Sequence, residues 1–221
     1  DTVRGEYREY HRDFHPGRDA RGNANGRDIK TATTKDFLKW PDPVWLNYSP
    51  GRVSELYTNQ IIPYYRAPHI FLGFPTRYVD RGWNESAKRL PQVEYRRLRA
   101  SSNEREGTAM TDGMFMSSRD GLSFNVWPES FIRPGLRDTG GWFYGDNYQN
   151  WGLIETKSAM EGAPNELSIF VSESALQGKN VIYRRHTLRI DGFVSVEAPL
   201  SGGWFTTYPI RFTGRQLVLN F

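Results

Sequence analysis

Short runs in which apolar and polar residues alternate recur along the chain, and this period of two predicts β-strands. Gly, Pro, Asn and Asp, the residues typical of turns, separate these runs. Strands are predicted at 5–14, 43–47, 61–65, 69–74, 152–155, 180–189 and 193–198. One short helical turn is predicted near 85–90, so the pattern as a whole indicates an all-β protein.

A strand-and-turn pattern occurs twice along the chain. Residues 31–40 read TATTKDFLKW and residues 115–124 read FMSSRDGLSF, and a weaker copy lies at 167–174. An Asp that follows two hydroxyl residues can accept a hydrogen bond from the backbone two residues on, so Asp36 and Asp120 are predicted to form turns rather than to catalyse. Copies of one unit at intervals favour propeller blades of about four strands, although two-sheet sandwiches have similar strand numbers.

Composition supports strands and turns and adds a functional indication. Aromatic residues make up 14% of the 221 residues, beside 21 Gly and 13 Pro. Aromatic faces also stack on the C–H groups of sugars, although each single ring is equally consistent with filling a β-core.

Charge, cysteine content and hydropathy argue against several kinds of function. The 29 Lys and Arg residues are scattered among 25 Asp and Glu residues, so no nucleic-acid interface is predicted. The chain has no Cys, which excludes disulfides and Cys-based zinc sites, and no apolar run is long enough to cross a bilayer. His11 and His15 would share a helix face, but Pro16 argues against a helix there. We therefore expect no metal site, no cofactor and no membrane partner.

Several segments resemble known sequences. The run IKTATTKDFLKW at 29–40 resembles the strand and turn that recur in five-bladed β-propeller glycoside hydrolases of the invertase, levanase and arabinanase type, and 118–124 is similar to a variant also found in sialidase-like propellers. The stretch 56–78 is similar to uncharacterised bacterial members of this superfamily. The resemblance implies an incomplete propeller over 1–200, and over 201–221 the final strand or the start of a C-terminal β-sandwich.

The resemblance also implies a pair of catalytic carboxylates. In the invertase-like family an Arg-Asp pair in a middle blade contributes one of them, and Arg12-Asp13 matches this pair, with Phe14 where the family has Pro. Glu173 and Glu155 each end a strand-like run and are the candidates for the acid. An exposed salt bridge at Asp13 and solvated glutamates at strand ends are the alternatives. The family's first-blade Asp would precede this chain, which we interpret as part of a longer protein.

Two polar and aromatic segments are candidates for substrate binding. The stretch 142–151 has five aromatic residues among Asp, Asn and Gln, a combination that can hold sugar hydroxyls between stacking rings. A second polar cluster follows residue 56. The predicted binding residues are Arg12, Tyr57, Asn59, Trp142, Tyr144, Asp146, Asn147 and Trp151. The alternative for 142–151 is a rim loop packed on itself.

These observations lead to three hypotheses about function. The first is an extracellular or periplasmic glycoside hydrolase, acting on an oligosaccharide or polysaccharide with Asp13 and one of Glu155 or Glu173 in one pocket. Their carboxyl groups would lie about 5 Å apart in a retaining enzyme or about 6.5 to 9.5 Å apart in an inverting one. The second is a non-catalytic carbohydrate-binding propeller, and the third is a protein-interaction propeller with a large apolar face.

Overall fold

Strands predominate in the computed structural model, which describes residues 1–17, 26–52, 54–137, 142–177 and 180–216. The all-β class predicted from the alternating pattern is therefore confirmed. The chain divides into two units, one made of Asp1–Gly152 and Ile169–His186 and the other of Leu153–Ser168 and Thr187–Phe221. None of the described helices is both long and apolar enough to span a membrane.

The first sheet has three antiparallel strands in the order of the chain. They are β1 (Tyr7–Phe14), β2 (Arg27–Thr34) and β3 (Val44–Trp45). Tyr7 pairs with Thr34 and Phe14 with Arg27, so β1 and β2 are in register over all eight residues. Because side chains alternate between the two faces of a strand, this register decides which residues of β1 and β2 can meet.

The second sheet has seven strands. They are β4 (Asn47–Ser49), β5 (Glu55–Leu56), β6 (Ile62–Tyr64), β7 (Ala67–Gly73), β8 (Thr76–Val79), β9 (Met110–Ser118) and β10 (Ser123–Ile132). The main path of pairing is β4-β10-β9-β7-β6, while β8 pairs with both β5 and β9. Only the β4–β10 pair is parallel among these described pairs.

The hydrophobic core lies on β9 and its neighbours. β9 is buried along most of its length because it pairs with β10 on one edge and with β7 and β8 on the other. The buried apolar residues of the core are Ile29, Leu46, Leu56, Ile61, Phe71, Met114, Met116, Phe124 and Val126. Since Ile29 belongs to β2, the same core joins the first sheet to the second.

Three short helices connect β8 to β9. They are α1 (Glu85–Lys88), α2 (Val93–Ala100) and α3 (Glu104–Thr108). The helical turn predicted near 85–90 corresponds to α1, which Asn84 caps by accepting a hydrogen bond from the backbone N–H of Ala87 at 2.8 Å. The sequence pattern did not predict α2 and α3.

The third sheet has the order β11-β12-β13, with β11 (Ile154–Thr156), β12 (Glu166–Glu173) and β13 (Ile182–Arg189). The predicted strand at 193–198 is wrong, because this stretch has no strand partner in the structure. The described residues 201–216 also contain no strand, and 217–221, part of the predicted final strand, lie outside the described residues.

The two copies of the repeated turn lie in different sheets. One follows β2 in the first sheet, and the other joins β9 to β10 in the second sheet. The backbone N–H of Leu38 donates to Asp36 at 3.1 Å and that of Leu122 donates to Asp120 at 2.8 Å, which confirms both Asp residues as turn formers. Over the described residues the sheets have three, seven and three strands rather than four each, so the propeller type is not confirmed.

Candidate functional site

One face of the first sheet presents arginines to tyrosines. Alternation places Arg12 and Phe14 on the same face of β1, and the register brings Arg27 of β2 opposite Phe14. The guanidinium carbon of Arg12 lies 4.7 Å from the ring centroid of Tyr57, and that of Arg27 lies 5.3 Å from the same centroid. Arg27 also lies 4.8 Å from the ring of Tyr78. Each of these distances is within the range of a cation–π contact.

Two further tyrosine rings, Tyr144 and Tyr148, pack on the rings that contact these guanidinium groups. Tyr57 lies 5.9 Å from Tyr144 and 5.3 Å from Tyr148, and Tyr78 lies 5.6 Å from Tyr144, measured between ring centroids. We call this set the tyrosine–arginine cluster. It consists of Arg12, Phe14, Arg27, Tyr57, Tyr78, Tyr144 and Tyr148.

Burial differs between the two arginines of the cluster. Arg12 is exposed, whereas Arg27 is only 6% exposed. The carboxylate of Glu55 accepts from the Arg27 backbone N–H at 3.1 Å and from its guanidinium at 2.9 Å, which satisfies part of this buried cation. The Nε of Arg27 is buried without a hydrogen-bond partner among the described residues. Arg27 is therefore the buried positive charge of the cluster, and Arg12 is its solvent-exposed positive charge.

The phenol groups of the cluster differ in the direction of their pKa shifts. The neighbouring phenol of Tyr144 and the guanidinium groups of Arg12 and Arg27 lower the pKa of Tyr57, although burial opposes them. Burial, together with the neighbouring phenol of Tyr57, raises the pKa of Tyr144 to about 12. Burial also raises the pKa of Tyr148. Among these three phenols, the oxygen of Tyr57 is therefore the best suited to accept a hydrogen bond.

Two further predicted binding residues line a cavity next to β1. Asn59 and Trp151 both line a cavity of about 230 Å³, together with Tyr10 and Arg8 of β1. The amide of Asn59 donates to the Tyr10 carbonyl at 3.2 Å, while the Trp151 ring is 66% exposed. Asn59 lies two residues beyond Tyr57 in the chain, so one short segment contributes a residue to the cluster and a residue to this cavity.

The polar residues of the 142–151 segment are turned into the protein. Asp146 is fully buried and accepts hydrogen bonds from the backbone N–H groups of Phe143 at 3.2 Å and Ala175 at 2.7 Å. Burial raises the pKa of Asp146 to about 6 despite these bonds. The amide of Asn147 donates to the Thr111 carbonyl at 3.0 Å. Both side chains therefore fix the backbone that positions Tyr144 and Tyr148, as a loop packed on itself would require.

Trp142, at the start of the same segment, lies at a different cavity. Its indole N–H donates to the carbonyls of Gly135 and Leu136, and the guanidinium carbon of Arg137 lies 5.3 Å from its ring centroid. The cavity that it lines has a volume of about 430 Å³. The segment predicted as one subsite is thus divided between two cavities and the tyrosine–arginine cluster.

The three predicted catalytic carboxylates have other partners. Asp13 and Arg12 point to opposite faces of β1, and Asp13 forms an ion pair with Lys30 at 2.7 Å, whose hydrogen bond lowers its pKa. Glu173 forms an ion pair with Arg184 at 2.7 Å. These are the contacts expected for the salt-bridge and strand-end alternatives.

Glu155 belongs to the second unit, where its carboxylate accepts a hydrogen bond from the amide of Asn165 at 2.8 Å. In the described ranges, no three His, Asp or Glu side chains come together as metal ligands.

The structure thus brings Arg12, Tyr57 and Tyr144 into one site and places Asn59 and Trp151 beside it. Arg27, Tyr78 and Tyr148 were not predicted. Arg27 follows a Gly-rich stretch of the sequence and Tyr78 lies in the short strand β8, and neither has a local sequence signal. Only the pairing of Phe14 with Arg27 reveals the shared face.

Comparisons with known proteins give little further information. No protein-family model and no curated protein matches the chain. Among solved structures it is similar to the crystal structure of an N-acetylgalactosamine deacetylase from F. plautii in complex with blood group B trisaccharide, at 11% identity and a TM-score of 0.44. The match covers 78% of this chain and 38% of that one, so this chain spans less than half of that protein's length. A likeness at this level supports no argument about function.

Proposed function

We propose that this protein binds a carbohydrate at the tyrosine–arginine cluster. The supporting observation is that the rings of Tyr57 and Tyr78 contact two guanidinium groups, and that Tyr144 and Tyr148 pack on these rings. Arg12 is exposed, and Tyr57 and Tyr144 are partly exposed. Aromatic surface combined with a few fixed polar groups is typical of sites that bind sugars, because the rings contact C–H groups and the polar atoms orient the hydroxyls.

The polar groups of the cluster complement a sugar hydroxyl. The oxygen of Tyr57 is suited to accept a hydrogen bond, since the neighbouring Tyr144 phenol and the Arg12 guanidinium lower its pKa. The guanidinium of Arg12 supplies only donors. A hydroxyl both donates and accepts, so it can donate to Tyr57 and accept from Arg12 at the same time.

The neighbouring cavity favours a ligand of more than one sugar unit. Asn59 and the exposed ring of Trp151 line a cavity of about 230 Å³ along the segment that continues from Tyr57. A ring and an amide beside the first site are the groups that a second sugar unit would need. We therefore propose an oligosaccharide or polysaccharide as the ligand.

We propose glycoside hydrolysis, on an invertase-like propeller outside the cytoplasm, as a second candidate function. The carboxylate beside the cluster is that of Glu55, which Arg27 holds at 2.9 Å. Most glycoside hydrolases use two carboxylates, and the pairing of Asp13 with Glu155 or Glu173 stays a prediction.

Glycan-array binding by the full chain, followed by calorimetry on the best ligand, tests the binding proposal. Removing one hydroxyl with Tyr57→Phe, or the exposed cation with Arg12→Ala, should weaken binding about tenfold, the effect of losing one charge-assisted hydrogen bond. Tyr183→Phe and Arg133→Ala are matched controls at exposed positions, and each should stay within about twofold of the wild type.

Two results would overturn the binding proposal. One is an array on which no oligosaccharide binds, and the other is unchanged affinity in both Tyr57→Phe and Arg12→Ala. Chromatography of the same mixtures separates the two candidate functions, because released sugar indicates hydrolysis whereas saturable binding without products indicates a binding protein.

A further inference from the structure

A separate cavity lies on the opposite face of β8 from the tyrosine–arginine cluster. Alternation along β8 turns Tyr78 toward the cluster, while Arg77 and Val79 line a cavity of about 430 Å³. Leu90 and Met110 add apolar surface to its wall. The cavity is large enough for a small ring-shaped ligand, because ligand pockets range from roughly 300 to 1,000 Å³.

The charges that line this cavity do not balance. Arg77 is neutralised by Asp112, whose carboxylate accepts from its guanidinium at 2.9 and 2.5 Å. Arg81 and Arg137 also line the cavity, and both are exposed. No ion pair to either of them occurs among the described residues. Two uncompensated guanidinium groups therefore favour an anionic ligand.

A fixed aromatic ring lies beside this positive charge. The indole N–H of Trp142 donates to the carbonyls of Gly135 and Leu136 at 3.2 and 3.1 Å, which orients the ring before any ligand arrives. The guanidinium carbon of Arg137 lies over the ring, 5.3 Å from the centroid. A guanidinium has its N–H groups along its edge, where they can form two parallel bonds to a carboxylate.

Hydroxyl and amide groups complete the wall. Ser54, Asn84 and Ser86 line the cavity between the arginines and the apolar residues. The Ser54 hydroxyl donates to the Tyr78 carbonyl and the Asn84 oxygen accepts from Ala87. A purely apolar anion, such as a fatty acid, would still take water from the Asn84 amide N–H groups and the Ser86 hydroxyl without replacing it. The combination of cations, a ring and neutral polar groups fits a sugar ring that has a carboxylate.

We propose that this cavity binds an acidic sugar residue of the uronic acid type. The guanidinium groups of Arg81 and Arg137 hold the carboxylate, and the sugar ring packs beside Trp142. This site uses none of the residues of the tyrosine–arginine cluster, so the proposal does not depend on the function proposed for that cluster.

Calorimetric titration of the full chain with D-glucuronate, D-glucose and inorganic sulfate, at low ionic strength, tests the site. Saturable binding of glucuronate is expected, with an affinity at least about tenfold above those of glucose and sulfate. Arg81→Ala and Arg137→Ala should each weaken it about tenfold, and Arg137→Lys, which keeps the charge but loses the planar fork, should weaken it less than Arg137→Ala.

The controls separate this site from the cluster and from general charge effects. Arg133→Ala removes an exposed arginine that does not line the cavity, and Tyr57→Phe alters the cluster, so both should leave glucuronate affinity within about twofold of the wild type. Circular dichroism of each variant verifies folding. Absent glucuronate binding, equal affinity for glucose or for sulfate, or unchanged affinity in both alanine variants would each overturn the proposal.

Discussion

The two copies of the repeated turn share two local hydrogen bonds in different surroundings. In the turn after β2, the N–H of Asp36 donates to the Thr34 hydroxyl at 3.0 Å. In the turn after β9, the N–H of Asp120 donates to the Ser118 hydroxyl at 3.3 Å. Each Asp then accepts from the leucine two residues further on. The shared sequence is therefore sufficient to specify the shared turn.

The surroundings of the two turns nevertheless differ. Phe37 and Leu38 of the first turn are 62% and 87% exposed. In the second turn, the carbonyl of Gly121 accepts from the hydroxyl of Tyr10 at 2.7 Å and from Arg8 at 3.2 Å, which attaches the turn to β1. The comparison teaches that a repeated motif determines local geometry, whereas its contribution to stability depends on what packs against it.

The largest expected effect comes from replacing Gly121. Its φ is +75°, and an added Cβ would lie 2.8 Å from the Tyr10 oxygen and 2.9 Å from a guanidinium carbon. Gly121→Ala should therefore lower the free energy of unfolding by about 3 kcal/mol, through backbone strain and overpacking, as measured by urea titration. Phe37 occupies the same place in the first turn and is exposed, so Phe37→Ala should lower the free energy of unfolding by less than about 1 kcal/mol. Equal losses of free energy in the two variants would contradict the expected difference in packing.

A smaller difference is expected between the two turn aspartates. Asp120 accepts from the backbone N–H groups of Ser123 at 2.7 Å and Leu122 at 2.8 Å, and from the hydroxyl of Ser118 at 2.9 Å. Asp120→Ala should lower the free energy of unfolding by about 2 kcal/mol, and Asp36→Ala by about 1 kcal/mol. Urea unfolding followed by tryptophan fluorescence measures both, and a larger loss for Asp36→Ala would contradict the expected order.

The smallest expected effect is the loss, at acid pH, of the contribution that Asp120 makes to stability. Burial raises the pKa of Asp120, but its hydrogen bonds from Ser123, Leu122 and Ser118 outweigh burial and lower it to about 2. A carboxyl with a lowered pKa stabilises the fold fully above its ordinary value of about 3.9 and loses this contribution as the pH falls toward 2. The difference in urea midpoint between the wild type and Asp120→Asn should therefore shrink between pH 4 and pH 2. A constant difference across this range would contradict the assignment.

Alternation and turn residues predicted the strands well where a partner strand exists. The stretch 5–14 includes β1, and 180–189 includes β13. The stretch 193–198 has a similar pattern but pairs with no described strand, and a strand forms only when another satisfies its backbone groups. Pairing is a tertiary property, so the pattern alone could not distinguish these cases.

Helix α2 was not predicted because its buried residue is an arginine, Arg96, rather than an apolar residue. Arg96 is 1% exposed, donates to the carbonyls of Pro91 at 2.9 Å and Trp142 at 2.7 Å, and lies 3.8 Å from the ring of Phe143. Burial lowers its pKa to about 10. A hydrophobic pattern counts arginine as exposed, so the helix period could not be recognised from apolar residues alone.

The candidate site could be predicted only in part for a related reason. Arg12, Tyr57 and Tyr144 were recognised by residue type, but Arg27 joins them through the register of β1 with β2. Arg12 and Asp13 were predicted as parts of one site. Neighbouring residues of a strand point to opposite faces, so the alternation of β1 already argues against that prediction.

The register between β1 and β2 also determines the sign of the charge at the cluster. A shift of β1 by one residue would turn Arg12 away and direct Asp13 and His11 toward the tyrosines, replacing the exposed cation of the cluster with a carboxylate. Eight paired positions, ending with Phe14 beside Arg27, prevent such a shift. The charge of this surface therefore depends on backbone pairing, and variants that loosen the β1 edge would alter that charge without changing any residue of the cluster.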